Sequence, residues 1–297
     1  MQKTFADLPV ISGLVRMLKT VQGAAVSKSL SFWLLWIGLL FLGGSFLVSK
    51  FPNQYSRLSL GVVGTIAAIV TIRIFLKTDN AAYRRIGLFY DGKSVPRFFS
   101  GYILGTVICA IMISILVLFS DLRLYRNELF VVTPEIILNY IAILPLAMME
   151  ELAFRSYTFM KINSAFNFRI TQFIIAVAFA AYHIIGGQGI LSALLGPGVW
   201  AYVFGLSTLR SGGIAMPLGI HVAANVSQAL AGMKGKNDGI WLLDYPGKML
   251  PGSAVKTETI GIGMHLAMLV IAVVITEVYF TKNKKITKLK IYHHQTI

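Results

Sequence analysis

The chain has 297 residues, of which 56% are hydrophobic and 13% charged, with mean hydropathy +0.72 and a formal charge of +15. A soluble domain carries about 25% charged residues, so the composition excludes an ordinary soluble globule and points to a chain that lives in a bilayer. Nucleic-acid binding is excluded too, because the basic residues flank apolar stretches, where anionic headgroups account for them, and no basic stretch is interleaved with aromatics.

Residues 1–29 form a cytoplasmic N-terminal segment. Between Phe5 and Val21 it alternates apolar and basic positions at helical spacing. That pattern predicts an amphipathic helix lying on the membrane surface, with a plain solvated leader as the alternative. It is not a secretory signal, since the first apolar stretch begins near Leu30 and no small-residue cleavage pattern follows. A spanning helix needs about 20 apolar residues. N-terminal spans are predicted over residues 30–49, 58–76 and 99–120, within a region that ends at 135. Cys109, the single cysteine, lies in the third and excludes a disulfide framework or a cysteine-based zinc site. Four more spans are predicted over 136–160, 170–185, 189–209 and 213–231. After them come a loop over 232–258, a last span over 259–280 and a basic tail to 297. The loop either covers a site on its face of the membrane or is a simple connection. The fold class is all-α: a polytopic membrane helix bundle of about eight transmembrane helices around a polar cavity.

Eight spans put both termini on one side. That side receives 17 lysines and arginines and the opposite side 8, so the positive-inside rule makes both termini cytoplasmic. Arg73 and Glu277, near span ends, read as snorkelling residues. His265, His293 and His294 read as bland.

Three groups of polar residues interrupt the spans. In Glu150-Glu151-Leu152-Ala153-Phe154-Arg155, Glu151 and Arg155 are four apart and share a helix face, where they can pair. Glu150 is turned away by about 100° and has no such local partner, so it is free for proton chemistry. A buried ion-pair network that only holds helices together is the competing reading. His183 follows near the end of an apolar helix, with Phe179 one turn back as an apolar wall. Alone, such a histidine is more often a satisfied core residue. His221 and Asn225 are again four apart; they suit an oxyanion site or polar glue between helices. Together the three groups are far more specific. Glu150 can act as general base with His183 holding the attacking water, and His221 and Asn225 can stabilise an oxyanion. Alternatively Glu150, His183 and His221 hold zinc, so the cofactor is either zinc or none. HExxH and GxSxG are both absent, so hydrolysis through an activated water fits the residue types better than a covalent route.

These motifs resemble the CAAX protease and bacteriocin-processing (CPBP, or Abi) family of intramembrane peptidases. That family is marked by EExxxR, FxxxH and HxxxN or HxxxD. The chain shows all three, as Glu150-Glu151-xxx-Arg155, Phe179-xxx-His183 and His221-xxx-Asn225, within residues 136–231. The resemblance implies an all-helical core with a water-filled cavity. It implies a catalytic group of Glu150, His183, His221 and Asn225 supported by Glu151 and Arg155. It also implies a peptide or membrane-associated protein substrate, met among membrane lipids in a bacterial cytoplasmic membrane. Eukaryotic members trim prenylated CAAX proteins, and many bacterial ones are linked to bacteriocin maturation or self-immunity. A non-catalytic membrane immunity or peptide-binding factor using the same cavity is the alternative. A transporter fits less well, for want of internal repeats or paired broken helices.

Overall fold

The computed structural model describes residues 20–235, 239–247 and 250–282. The surface helix expected over residues 5–21 lies outside the described residues except for its last two, Thr20 and Val21, which cap and open the first helix, and the basic tail beyond 282 lies outside them too. The elements in order are α1 (Val21–Phe46), α2 (Ser56–Thr78), α3 (Ser94–Phe119), β1 (Arg123–Arg126), α4 (Pro134–Arg155), α5 (Tyr157–Ala165) and α6 (Phe168–Ile185). They are followed by α7 (Ile190–Ala193), a π turn (Leu194–Gly198), α8 (Val199–Ser211), α9 (Ala215–Leu230), β2 (Trp241–Asp244) and α10 (Ser253–Lys282). Among the described residues seven helical stretches are long and apolar enough to cross a membrane. The eighth, α9, stands where its span was expected but has only 16 residues.

Lipid offers no partner to a backbone amide, so long apolar stretches close their own hydrogen bonds as helices. Side-chain caps mark several starts. Thr20, Thr133 and Asn167 accept from the amides of Gly23, Ile136 and Ile170 at 3.0, 3.3 and 3.1 Å, and Pro134 supplies a preset first turn to α4. The Thr20 cap starts α1 nine residues before the apolar stretch itself.

Where the sequence predicts one helix over 136–160, the chain breaks at Ser156, whose φ and ψ are −104° and −108°. The break frees carbonyls at the end of α4, and side chains take them up. The Trp33 indole donates to Ala153 O at 3.1 Å, the Thr158 hydroxyl to the same oxygen at 2.9 Å, and the Ser156 hydroxyl to Leu152 O. The span over 189–209 is interrupted likewise, because Pro197 has no amide to donate and the ladder slips there into a π turn.

Two close crossings position the site. In the first, α3 lies against α9. A Cβ on Gly101 would stand 2.1 Å from Met216 O, one on Gly105 2.6 Å from Ile220 O, and one on Gly219 2.0 Å from Phe98 O. Only hydrogen fits there, and the approach sets the height of His221. In the second, α2 lies against α4. Gly61 meets the backbone of Pro145 and Leu146, and the Thr65 hydroxyl donates to Pro145 O at 3.0 Å. Buried aromatics fill the centre, where the Phe154 ring packs on Trp33, Trp36, Phe179 and Tyr182 at 5.0–5.7 Å.

A short antiparallel ribbon was not expected. β1 and β2 pair Arg123 with Asp244 through Arg126 with Trp241. Asn127 extends it by donating its side-chain amide to Gly239 O at 2.9 Å, and the Leu243 amide donates to Ala231 O at 3.0 Å. The loop after α9 is thereby tied to the connection between α3 and α4. Glu277, read as a snorkelling residue, makes a bidentate ion pair with Arg169 across α10 and α6.

Candidate active site

Three helices deliver the polar residues to one place, and a fourth walls it. α4 carries Glu150, Glu151 and Arg155, α6 carries His183, and α9 carries His221 and Asn225; α8 contributes Phe204 as an apolar wall. The adjacent positions of Glu150 and Glu151 separate their environments, as helical geometry requires. Glu151 and Arg155 are fully buried, whereas the Glu150 side chain keeps 14% exposure.

The Glu151–Arg155 pair forms at 3.6 Å between Oε1 and Nη1, too long for a hydrogen bond. Among the described residues Arg155 has no hydrogen-bond partner on any guanidinium nitrogen. Aromatic faces surround it instead, with its Cζ 4.2 Å from the Phe179 ring centroid, 4.9 Å from Phe204 and 5.8 Å from Phe154.

The same Oε1 of Glu151 lies 2.8 Å from Nδ1 of His221, seventy residues along the chain. A carboxylate beside a buried arginine accepts, so His221 donates through Nδ1. His183 is oriented in the same sense. Its Nδ1 lies 2.9 Å from Phe179 O, and a carbonyl can only accept. Both imidazoles therefore turn Nε2 toward Glu150. Its Oε2 is 3.6 Å from Nε2 of His221 and 4.0 Å from Nε2 of His183, and this buried oxygen has no hydrogen-bond partner among the described residues. The His221 ring is stacked on Phe204 at 4.8 Å and 16°, and Phe179 stands edge-on to His183 at 4.6 Å.

A cavity of about 830 Å³ opens beside this cluster, lined by His183, His221, Asn225, the π turn and α10. A second cavity of about 510 Å³, mostly apolar and bounded by α1, α2 and α6, reaches Glu150 and His183 from the other side. Gln188 lines both. Lys234, just after α9, reaches the larger cavity, and so do Glu258 and His265 of α10, which begins at Ser253 rather than near 259 as expected. The Lys234 ammonium donates to Oδ1 of Asn225.

Sequence reasoning missed Lys234, Gln188 and Phe204. No local signal marks Phe204 or Gln188, whereas Lys234 lies in the loop suspected of covering a site. The three zinc-type donors face one another, but among the described residues no group of three or more His, Cys, Asp or Glu side chains has a geometry that could hold a metal ion.

Fold and site together define a polytopic helical membrane protein with an acid–base cluster inside its bundle. Residues 132–227 match the family model described as "Type II CAAX prenyl endopeptidase Rce1-like". The match covers about a third of the chain and takes in all six predicted site residues. No curated protein and no solved structure matches the chain.

Proposed function

We propose that the protein is an intramembrane endopeptidase in which Glu150 activates a water molecule. One observation carries the reading: Oε2 of Glu150 faces the Nε2 atoms of two histidines from two other helices, each oriented by a bond at its own Nδ1. Gaps of 3.6 and 4.0 Å are too long for direct hydrogen bonds and short enough for one shared water.

Glu150 takes a proton from that water while His183 accepts its other hydrogen bond. The oxygen attacks the scissile carbonyl, the C–N bond breaks, and Glu150 returns the proton to the leaving amine. His221, when doubly protonated, and Asn225 through Nδ2 donate to the developing oxyanion. Glu151 and Arg155 hold the His221 ring in place. The substrate is a peptide or membrane-associated protein, and the basic-residue asymmetry supports cytoplasmic termini in a bacterial cytoplasmic membrane.

The test compares peptides released from membranes that hold wild-type protein, Glu150→Ala or His183→Ala. Both variants are expected to insert and fold but release nothing. Full cleavage by either would falsify the mechanism. A biological phenotype that persists in both would favour the non-catalytic immunity or peptide-binding factor.

A further inference from the structure

Asn225 lies half-buried on α9, one turn beyond His221, and lines the larger cavity. Its amide has two ends of opposite character, and only the NH2 end can stabilise an oxyanion. The role proposed above for Asn225 therefore requires something to choose the end. Nothing on α9 does so.

Lys234 makes that choice. Its ammonium has three donors and no acceptor, so it can bond only the amide oxygen. With Oδ1 held, Nδ2 is left to donate, and among the described residues it has no protein acceptor. The loop backbone is held for this purpose. α9 ends in two overlapping turns, with the Gly232 amide donating to Ala229 O and the Met233 amide to Gln228 O at 3.0 and 2.9 Å. The bond from the Leu243 amide to Ala231 O then fastens the turn to β2. The ammonium also stands within electrostatic reach of the Glu150 carboxylate and the Arg57 guanidinium.

We propose that Lys234 is a positioning residue that holds the Asn225 amide with its NH2 end toward the reacting carbonyl. The inference rests on the peptidase reading of the site. It makes the turn after α9 that carries Lys234 part of the catalytic apparatus although it lies beyond the matched core, residues 132–227.

The test uses the full chain in detergent and a quenched fluorescent peptide that the wild-type protein cleaves. Asn225→Ala is expected to lower kcat by about 10²-fold, as loss of one oxyanion donor does. Lys234→Met is expected to lower kcat by about tenfold through loss of orientation, with KM and melting temperature unchanged. Lys234→Arg, also a pure donor, recovers most of the rate. The decisive variant is Asn225→Ala/Lys234→Met. If lysine acts through asparagine, the double variant is no slower than Asn225→Ala alone. A wild-type kcat in Lys234→Met, or losses that multiply in the double variant, overturns the inference while leaving the peptidase reading intact. Wild-type cleavage by Glu150→Ala overturns that reading, and the role of Lys234 with it.

Discussion

Glu151→Gln separates the structural from the chemical role of the buried pair. The glutamine keeps the volume of Glu151 and removes its charge, leaving the Arg155 guanidinium fully buried beside a neutral amide. Its three nitrogens already lack hydrogen-bond partners among the described residues, so no bond seen there can take over the compensation. Removing one member of a buried ion pair costs roughly 3–5 kcal/mol. At about 2–4 °C per kcal/mol for a chain of this size, the melting temperature in detergent should fall by about 10 °C. Cleavage should also fall, on the order of 10³-fold or more, because an amide no longer enforces donation from Nδ1 of His221. The second variant, Glu151→Gln/Arg155→Met, removes the orphaned charge and leaves an apolar chain among Phe154, Phe179 and Phe204. Stability should return to within about 1 kcal/mol of wild type, and activity should not return. The measurements are a fluorescence melt and peptide cleavage on the same preparations. A wild-type melting temperature in Glu151→Gln, or recovered cleavage in the double variant, refutes the division of labour.

Gly105→Val forces a side chain into the α3–α9 crossing, where a Cβ alone would stand 2.6 Å from Ile220 O; it should destabilise the protein by about 1–3 kcal/mol and reduce cleavage by shifting His221, as thermal melts and the peptide assay would show. Asp79 predicts a pH effect. Burial would raise its carboxyl, but hydrogen bonds from Lys161, Lys28 and Tyr157 outweigh that and hold it down at about 2, against 3.8 unperturbed. A depressed carboxylate stabilises the fold above its unfolded value, so about 2 kcal/mol is present at neutral pH and lost as pH falls from about 4 to about 2. Asp79→Asn should flatten the melting temperature across that window. If water is activated by Glu150 alone, cleavage should survive exhaustive chelation in protein shown by elemental analysis to hold no zinc; loss of activity on chelation with return on added zinc would revive the metal reading.

Much of the fold was legible because lipid leaves the backbone few choices. Residues such as those of α3, apolar for a full membrane thickness, can only be helical there. The Glu151–Arg155 face was legible because both residues lie on one helix, where spacing fixes direction. The link from Glu151 to His221 was not, since it joins residues seventy apart and depends on how α4, α3 and α9 cross. The glycines that set this crossing read in the sequence only as small residues. Ser156 gave no warning of a break, because the Trp33 indole that accepts the cost of the freed carbonyl comes from α1. The π turn at Pro197 was not legible either: the apolar spacing predicts an unbroken span over 189–209, and the slipped ladder depends on how its neighbours pack. Lys234 was counted among the loop charges, and its contact with Asn225 required the ribbon of β1 and β2, whose strands are four residues each and separated by more than a hundred.

The ring of aromatics around Arg155 has a consequence for how the site is tuned. A hydrogen bond fixes both a partner's charge state and its direction. An arginine held by ring faces contributes a field with little angular demand, so the Glu151 carboxylate is left to align with the His221 imidazole. Field strength and bond direction are therefore set by separate residues. Substitutions in the ring can adjust one while the other stays as it is, which gives mutational drift at Phe204 or Phe154 a graded rather than an all-or-none effect on the reaction.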